Sequence, residues 1–276
     1  MRYLVTPSWL LHQLNTENVR VVDCRFQLGA PDQGQKEYRQ AHIPGAVYFD
    51  LEKDMSQPVD THGGRHPLPD MEEFASKLSD AGIDQETTVV AYDDQGGAMA
   101  ARFWWMLMYL GHEKTFVLDR PFSQWKQSEF PVDPHVPSFE SRSFVPQVEP
   151  NRIVHLEEVK LALQEDGVQL IDGRDEERYL GKKDNVDGVA GHIPGAEQYF
   201  WKDVLDEKGV WKDKEALKHH FKDLDDDKKI FSYCGSGVTA CVNVLALKEA
   251  GYENPKLYVG SWSDWISYDD LPINRG

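Results

Sequence analysis

A chain of 276 residues with a formal charge of −17 matches two domains of ordinary size, each able to bury its own core, rather than one small domain. That charge repels nucleic acid and anionic membrane surfaces, so neither is expected as a partner, and any anionic substrate must meet a local positive site. No run reaches the roughly 18 apolar residues of a membrane helix, and Cys24, Cys234 and Cys241 are too unevenly spaced for a disulfide framework or a zinc site. A reducing, cytoplasmic compartment is expected, with no metal and no cofactor.

In chain order, MRYLVTPSWLLHQL has one apolar cluster broken by Pro7 and no cleavage site, so no export signal is expected. Strands are predicted at 19–23, 88–92 and 115–118, with an amphipathic helix at 71–81. PVDPHVPSFESRSFVPQVEP (131–150) carries five prolines and no periodicity, which predicts an extended linker. Beyond it come a helix at 157–164, strands at 168–172, 229–233 and 256–259, and a helix at 238–250 stopped by Gly251. Strands read as continuous apolar runs are buried on both faces, which predicts parallel sheets flanked by helices, an α/β fold.

The order repeats. VVDCRF (21–26) matches LIDGRD (170–175), AHIPGA (41–46) matches GHIPGA (191–196), VVAYDD (89–94) matches IFSYCG (230–235), and DRPFSQW (119–125) matches VGSWSDW (259–265). The chain therefore divides into a first domain at 1–135, a linker at 136–149 and a second domain at 150–276. Ligands of parallel sheets bind at the carboxyl ends of strands. Cys234 lies there, in YCGSGVTAC, followed by small residues whose N–H groups can converge beside a helix N-terminus. A thiolate so placed is a competent nucleophile, whereas Cys241, on the apolar side of the following helix, reads as packing. The sixth residue after Cys234 is Ala240 rather than the arginine a phosphatase loop needs, and the third is Gly237 rather than a second redox cysteine. A papain-like protease stays open on these residues alone, although a duplicated small α/β unit favours another answer.

With its two HIPGA elements, its Cys-Gly-Ser-Gly-Val-Thr-Ala loop and GSWSDW, the chain resembles the two-domain sulfurtransferases of the rhodanese superfamily over nearly its whole length. The resemblance implies two tandem rhodanese-like domains and a persulfide on Cys234, its outer sulfur cradled by the N–H groups of Gly235, Ser236, Gly237, Val238 and Thr239. Loops of this sequence are typical of members using 3-mercaptopyruvate, while thiosulfate-using members carry basic residues after the cysteine. The neutral Gly235-Ser236 pair favours 3-mercaptopyruvate as the small-molecule sulfur donor. Thiosulfate is the alternative donor, and a non-catalytic persulfide carrier the alternative class. The acceptor is expected to be cyanide or a thiol, such as thioredoxin or a small thiol. By the same resemblance Ser236 is linked to His66 in GRHPLP and to Glu52 in FDLEKD, both from the first domain, with Asp50 or Asp54 as substitutes for an acid that is usually Asp. Arg178 matches the arginine that binds the donor carboxylate. A second basic residue is expected where Val186 stands, so Lys182 or Lys183 would compensate, while Arg174 reads as a loop-fixing ion-pair partner. In the first copy Asp93 or Asp94 stands in place of Cys234, which would make that domain catalytically silent.

Overall fold

A computed structural model describes residues 3–276, which divide into two compact units. The first comprises residues up to Gln57, Leu68–Glu149 and Glu207–Trp211. Its strands are β1 (Leu4–Val5), β2 (Val19–Asp23), β3 (Ala46–Tyr48), β4 (Thr88–Tyr92) and β5 (Thr115–Leu118), in the order β1-β5-β4-β2-β3, all parallel. One face is covered by Leu10, Ile43, Phe122 and Trp125 packed on Val21, Val90 and Tyr92. The helix Ala98–Tyr109 is apolar almost all round, as a helix enclosed on every side must be, and nearly all of its residues are buried. The helix predicted at 71–81 spans Met71–Asp80, with the Asp70 carboxylate accepting from the Glu72 and Glu73 N–H groups at its start.

The second unit comprises Pro58–Pro67, Pro150–Asp206 and Lys212–Gly276. It repeats the sheet with β6 (Ile153–Val154), β7 (Val168–Asp172), β8 (Glu197–Gln198), β9 (Lys229–Tyr233) and β10 (Lys256–Tyr258), in the parallel order β6-β10-β9-β7-β8. Two features differ from the sequence reading. Residues 58–67, inside the first copy by sequence, belong to the second unit, and 207–211 belong to the first, so His66 goes with the second unit. The helix predicted at 238–250 begins at Ala240. Gly237, at φ +73°, turns the chain, and the carbonyls of Val238 and Thr239 accept from Cys241 and Val242 in tight three-residue turns before the helix settles. The 136–149 segment carries no helix or strand and lies along the first unit. There Phe144 is buried, the Gln147 N–H donates to the Leu110 carbonyl at 2.9 Å, and the Glu149 N–H donates to Tyr109 at 2.8 Å.

Both units carry the same buried ion pair behind the loops that end their strands. In the first, Arg25 Nη2 donates to Asp23 at 2.6 Å and to the Ala41 carbonyl at 2.7 Å, and Tyr92 Oη donates to Asp23 at 2.6 Å. In the second, Arg174 Nη2 donates to Asp172 at 2.6 Å and to the Gly191 carbonyl at 2.5 Å, and lies over Trp262 at 4.4 Å. Burial alone would lower the pKa of each arginine, but the aspartate outweighs it and holds the guanidinium charged. This pair ties the turn after the strand to the HIPGA element, whose Ile193 N–H donates to Tyr233 Oη as Ile43 does to Tyr92.

Candidate active site

Cys234 follows β9 directly and is 1% exposed. Its carbonyl accepts from the Trp262 N–H at 2.9 Å, its N–H donates to Ser261 Oγ at 3.1 Å, and the Gly235 carbonyl accepts from Ser263 at 2.9 Å. Three bonds to 261–263 therefore fix where the thiol stands. Gly237 is required by space, and Gly235 is closely faced by two arginines. A Cβ on Gly237 would run into the Val259 carbonyl, and one on Gly235 would lie 2.9 Å from Nη2 of both Arg178 and Arg65. Among the described residues, the backbone N–H groups of Ser236, Val238, Thr239 and Ala240 donate to no protein acceptor, so they are available to an anion at the cysteine.

The first unit has the same loop, already occupied. Asp93 follows β4 as Cys234 follows β9, and its carbonyl accepts from Phe122 as that of Cys234 accepts from Trp262, both at 2.9 Å. This register assigns Asp93, rather than Asp94, to the place of Cys234. The Asp93 carboxylate accepts from the N–H groups of Gln95, Gly97 and Met99 at 2.8 Å each and of Ala100 at 3.1 Å. Burial pushes its pKa up, and these four donors oppose that shift without cancelling it.

His66 Nδ1 shares a hydrogen bond of 2.8 Å with Ser236 Oγ, two residues after the cysteine, and both side chains are buried. The strand of chain carrying His66 is pinned at several points. The Gly63 N–H donates to Asp264 at 2.7 Å, the Arg65 N–H donates to Ser263 Oγ at 3.0 Å, and the His62 ring stacks on Tyr268 at 4.0 Å.

Arg178 stands in the helix Glu176–Tyr179 and donates to Asp184 through Nε at 3.2 Å and to Asp187 through Nη2 at 2.5 Å. Arg65 Nε donates to the other oxygen of Asp187 at 2.7 Å. The Asp187 side chain is 0% exposed, against 28% for Arg65 and 19% for Arg178. Burial raises the pKa of Asp184, but the N–H groups of Asp187 and Val186 and the Arg178 charge outweigh it and leave the carboxyl below its ordinary value. Lys182 and Lys183 are exposed and hold no ion pair among the described residues; their N–H groups donate to the Glu177 carbonyl. Val186 is exposed. Arg174 pairs with Asp172, as read from the sequence.

Glu52 lies in the first unit, exposed, with no side-chain hydrogen bond among the described residues. Its neighbours are committed. Asp50 accepts from Tyr48 Oη and the Glu52 and Lys53 N–H groups, and Asp54 accepts from the Asp50 N–H and Lys77. Cys241 is buried, its Sγ bonded to the Gly237 carbonyl at 3.3 Å. Sequence reasoning missed Arg65, Asp187, Ser261 and Asp264. Arg65 was within reach, since it adjoins His66 in GRHPLP.

The Rhodanese-like domain model matches residues 6–128 and 155–268, and the chain belongs to that family. It is a tandem member, and its full-length relatives carry sulfurtransferase names. It is 39% identical to the probable 3-mercaptopyruvate sulfurtransferase of Pseudomonas aeruginosa, over 99% of this chain and 98% of that protein. It is 33% identical to the thiosulfate sulfurtransferase of Rattus norvegicus, over 96% of this chain and 92% of that protein. Among solved structures, SseA from Escherichia coli, described with the 3-mercaptopyruvate sulfotransferases, superposes with a TM-score of 0.83 at 32% identity, covering 95% of this chain and 100% of that one.

Proposed function

We propose that this sulfurtransferase takes sulfur from 3-mercaptopyruvate onto Cys234 and passes it to a thiol, such as thioredoxin or a small thiol, or to cyanide. In the first half-reaction the Cys234 thiolate attacks the donor sulfur, the carbon–sulfur bond breaks, and its electron pair leaves on the pyruvate enolate. A proton is then needed at that carbon, and the donor's own S–H proton balances it. Ser236, bonded to His66, is the group assigned to carry it. The persulfide anion left on Cys234 is held by the uncommitted loop N–H groups, which act as an oxyanion hole does. An acceptor thiolate attacks the outer sulfur and restores the Cys234 thiolate.

The observation that carries this reading is the His66–Ser236 bond beside a neutral loop. A carbanionic leaving group needs a proton carrier, whereas sulfite leaving from thiosulfate does not. Glu52 is assigned as the acid of the relay by family resemblance, and its uncommitted carboxylate suits that role better than Asp50 or Asp54, which are spent on local bonds. The second reading, thiosulfate as donor, is favoured by the two guanidinium groups beside Gly235, since fixed positive charge suits a dianion. A reducing, cytoplasmic setting fits an enzyme whose three cysteines are all free, and no helix among the described residues is long and apolar enough to cross a membrane.

The test is to supply each donor with cyanide or reduced thioredoxin and measure pyruvate, sulfite and transferred sulfur. Pyruvate release with a kcat/KM above that for thiosulfate is expected. Turnover on thiosulfate alone would overturn the donor assignment, and a stable Cys234 persulfide without turnover would make the protein a carrier.

A further inference from the structure

We infer that Arg65 is the second arginine of the donor's carboxylate site, supplying from the 58–67 segment the cation that Val186 does not; this rests on the sulfurtransferase reading above. Three observations converge on it. Arg65 and Arg178 both bring Nη2 against Gly235, the residue behind the nucleophile, at the same 2.9 Å from where a Cβ would stand. Asp187 bridges them from behind, taking Arg65 through Nε at 2.7 Å and Arg178 through Nη2 at 2.5 Å, and has no exposed surface of its own. Of the five N–H donors of a guanidinium, Arg65 commits Nε alone to an acceptor among the described residues, while Arg178 spends Nε and Nη2 on Asp184 and Asp187. Arg65, with a side chain 28% exposed against 19% for Arg178, therefore keeps more uncommitted donors beside the cysteine.

Charge favours the same assignment. Arg178 faces two carboxylates, so alone it would offer an incoming anion little net attraction. Arg65 adds a second cation to Asp187, and Arg174 Nη1 lies 3.6 Å from Asp184, so three guanidinium groups meet two carboxylates that have no exposed surface. A short 2-oxo acid carboxylate then meets a fork of N–H groups rather than a diffuse field, the geometry arginine recognises best. Exposed Lys182 and Lys183 make no such fork. The anchors at 62–65 that position His66 position Arg65 as well, so one short segment carries both a proton-handling group and a donor-binding group. Arg65 thereby becomes a specificity residue.

The experiment uses the whole chain and two readouts. Pyruvate, which binds without reacting, is titrated by calorimetry onto wild type, Arg65→Gln and Arg65→Lys. Turnover is then compared between 3-mercaptopyruvate and mercaptoacetone, the same thiol ketone without its carboxylate. Arg65→Gln is expected to weaken pyruvate binding at least about tenfold, as loss of a charge-assisted pair should, and to raise KM for 3-mercaptopyruvate similarly with little change in kcat. Arg65→Lys should recover part of the loss, and kcat/KM for mercaptoacetone should stay within about threefold of wild type. Unchanged pyruvate affinity, or equal loss on both thiol ketones, would overturn the assignment. Absence of wild-type turnover on 3-mercaptopyruvate would instead count against the donor reading, and the calorimetric arm would still decide on Arg65. Should Arg65→Gln fail to fold, Arg65→Lys carries the same comparison.

Discussion

His66 Nδ1 and Ser236 Oγ stand 2.8 Å apart, buried, though 170 residues separate them in sequence. The bond joins the GRHPLP segment to the cysteine loop, and removing its hydroxyl separates the two donors kinetically. Ser236→Ala should lower kcat for pyruvate release from 3-mercaptopyruvate by about 100-fold, the low end of what a positioned proton carrier contributes. Sulfite release from thiosulfate should fall less than tenfold. Steady-state rates with each donor at saturation check this, and equal losses would refute the proton role.

The two cysteines of the loop and helix should behave differently. Cys234→Ser is expected to abolish transfer from either donor, because a hydroxyl forms no persulfide. Cys241→Ser should stay within a few-fold of wild type, since a serine hydroxyl can still reach the Gly237 carbonyl. Mass spectrometry after donor loading should find added sulfur on the second variant and none on the first.

Asp172 and Asp23 should matter to stability in parallel. Asp172→Asn leaves buried Arg174 with Asp184 alone, 3.6 Å from its Nη1, and Asp23→Asn leaves Arg25 without its counter-ion. Loss of one partner of a buried pair costs about 3–5 kcal/mol, so each variant should lower the urea midpoint of its own unit. A change below about 1 kcal/mol would show that the pair is dispensable.

Acid should loosen the second unit through Asp184. Its folded pKa lies below the ordinary 3.8, so it binds fewer protons folded than unfolded as pH falls past that value. Its stabilisation is complete above the unfolded pKa and is lost as pH drops through the folded one. Urea midpoints measured from pH 6 down to about pH 2.5 should fall less steeply in Asp184→Asn than in wild type. Parallel curves would remove Asp184 from the cause.

Much of the fold was legible because β2, β4, β5, β7 and β9 are short runs rich in β-branched and aromatic residues bounded by turns, with mostly buried residues, the pattern of strands covered on both faces. The two- and three-residue strands at Leu4–Val5, Ala46–Tyr48, Ile153–Val154 and Glu197–Gln198 escaped, since so few residues carry no period. The place of Cys234 followed from a strand–loop–helix turn. The pairing of Ser236 with His66 did not, because spacing says nothing about contacts 170 residues apart, and family resemblance alone suggested it. Asp187 escaped for a related reason. An aspartate in a loop reads as solvated, and only the two arginines reaching it from 65 and 178 reveal it as a buried bridge.

Asp93→Ala should cost about 2 kcal/mol or more, because four loop N–H groups lose their acceptor in a buried turn. Sulfur transfer should persist in this variant at temperatures where the first unit remains folded. Melting curves and donor turnover measured on the same preparation check both halves.

That aspartate also fixes a stoichiometry. Duplication made two nests for an anion, and the chain has plugged one with the Asp93 carboxylate, bound through four loop N–H groups. However large the excess of donor, loading should therefore saturate at one sulfur atom per polypeptide: a duplicated chain that behaves as monovalent.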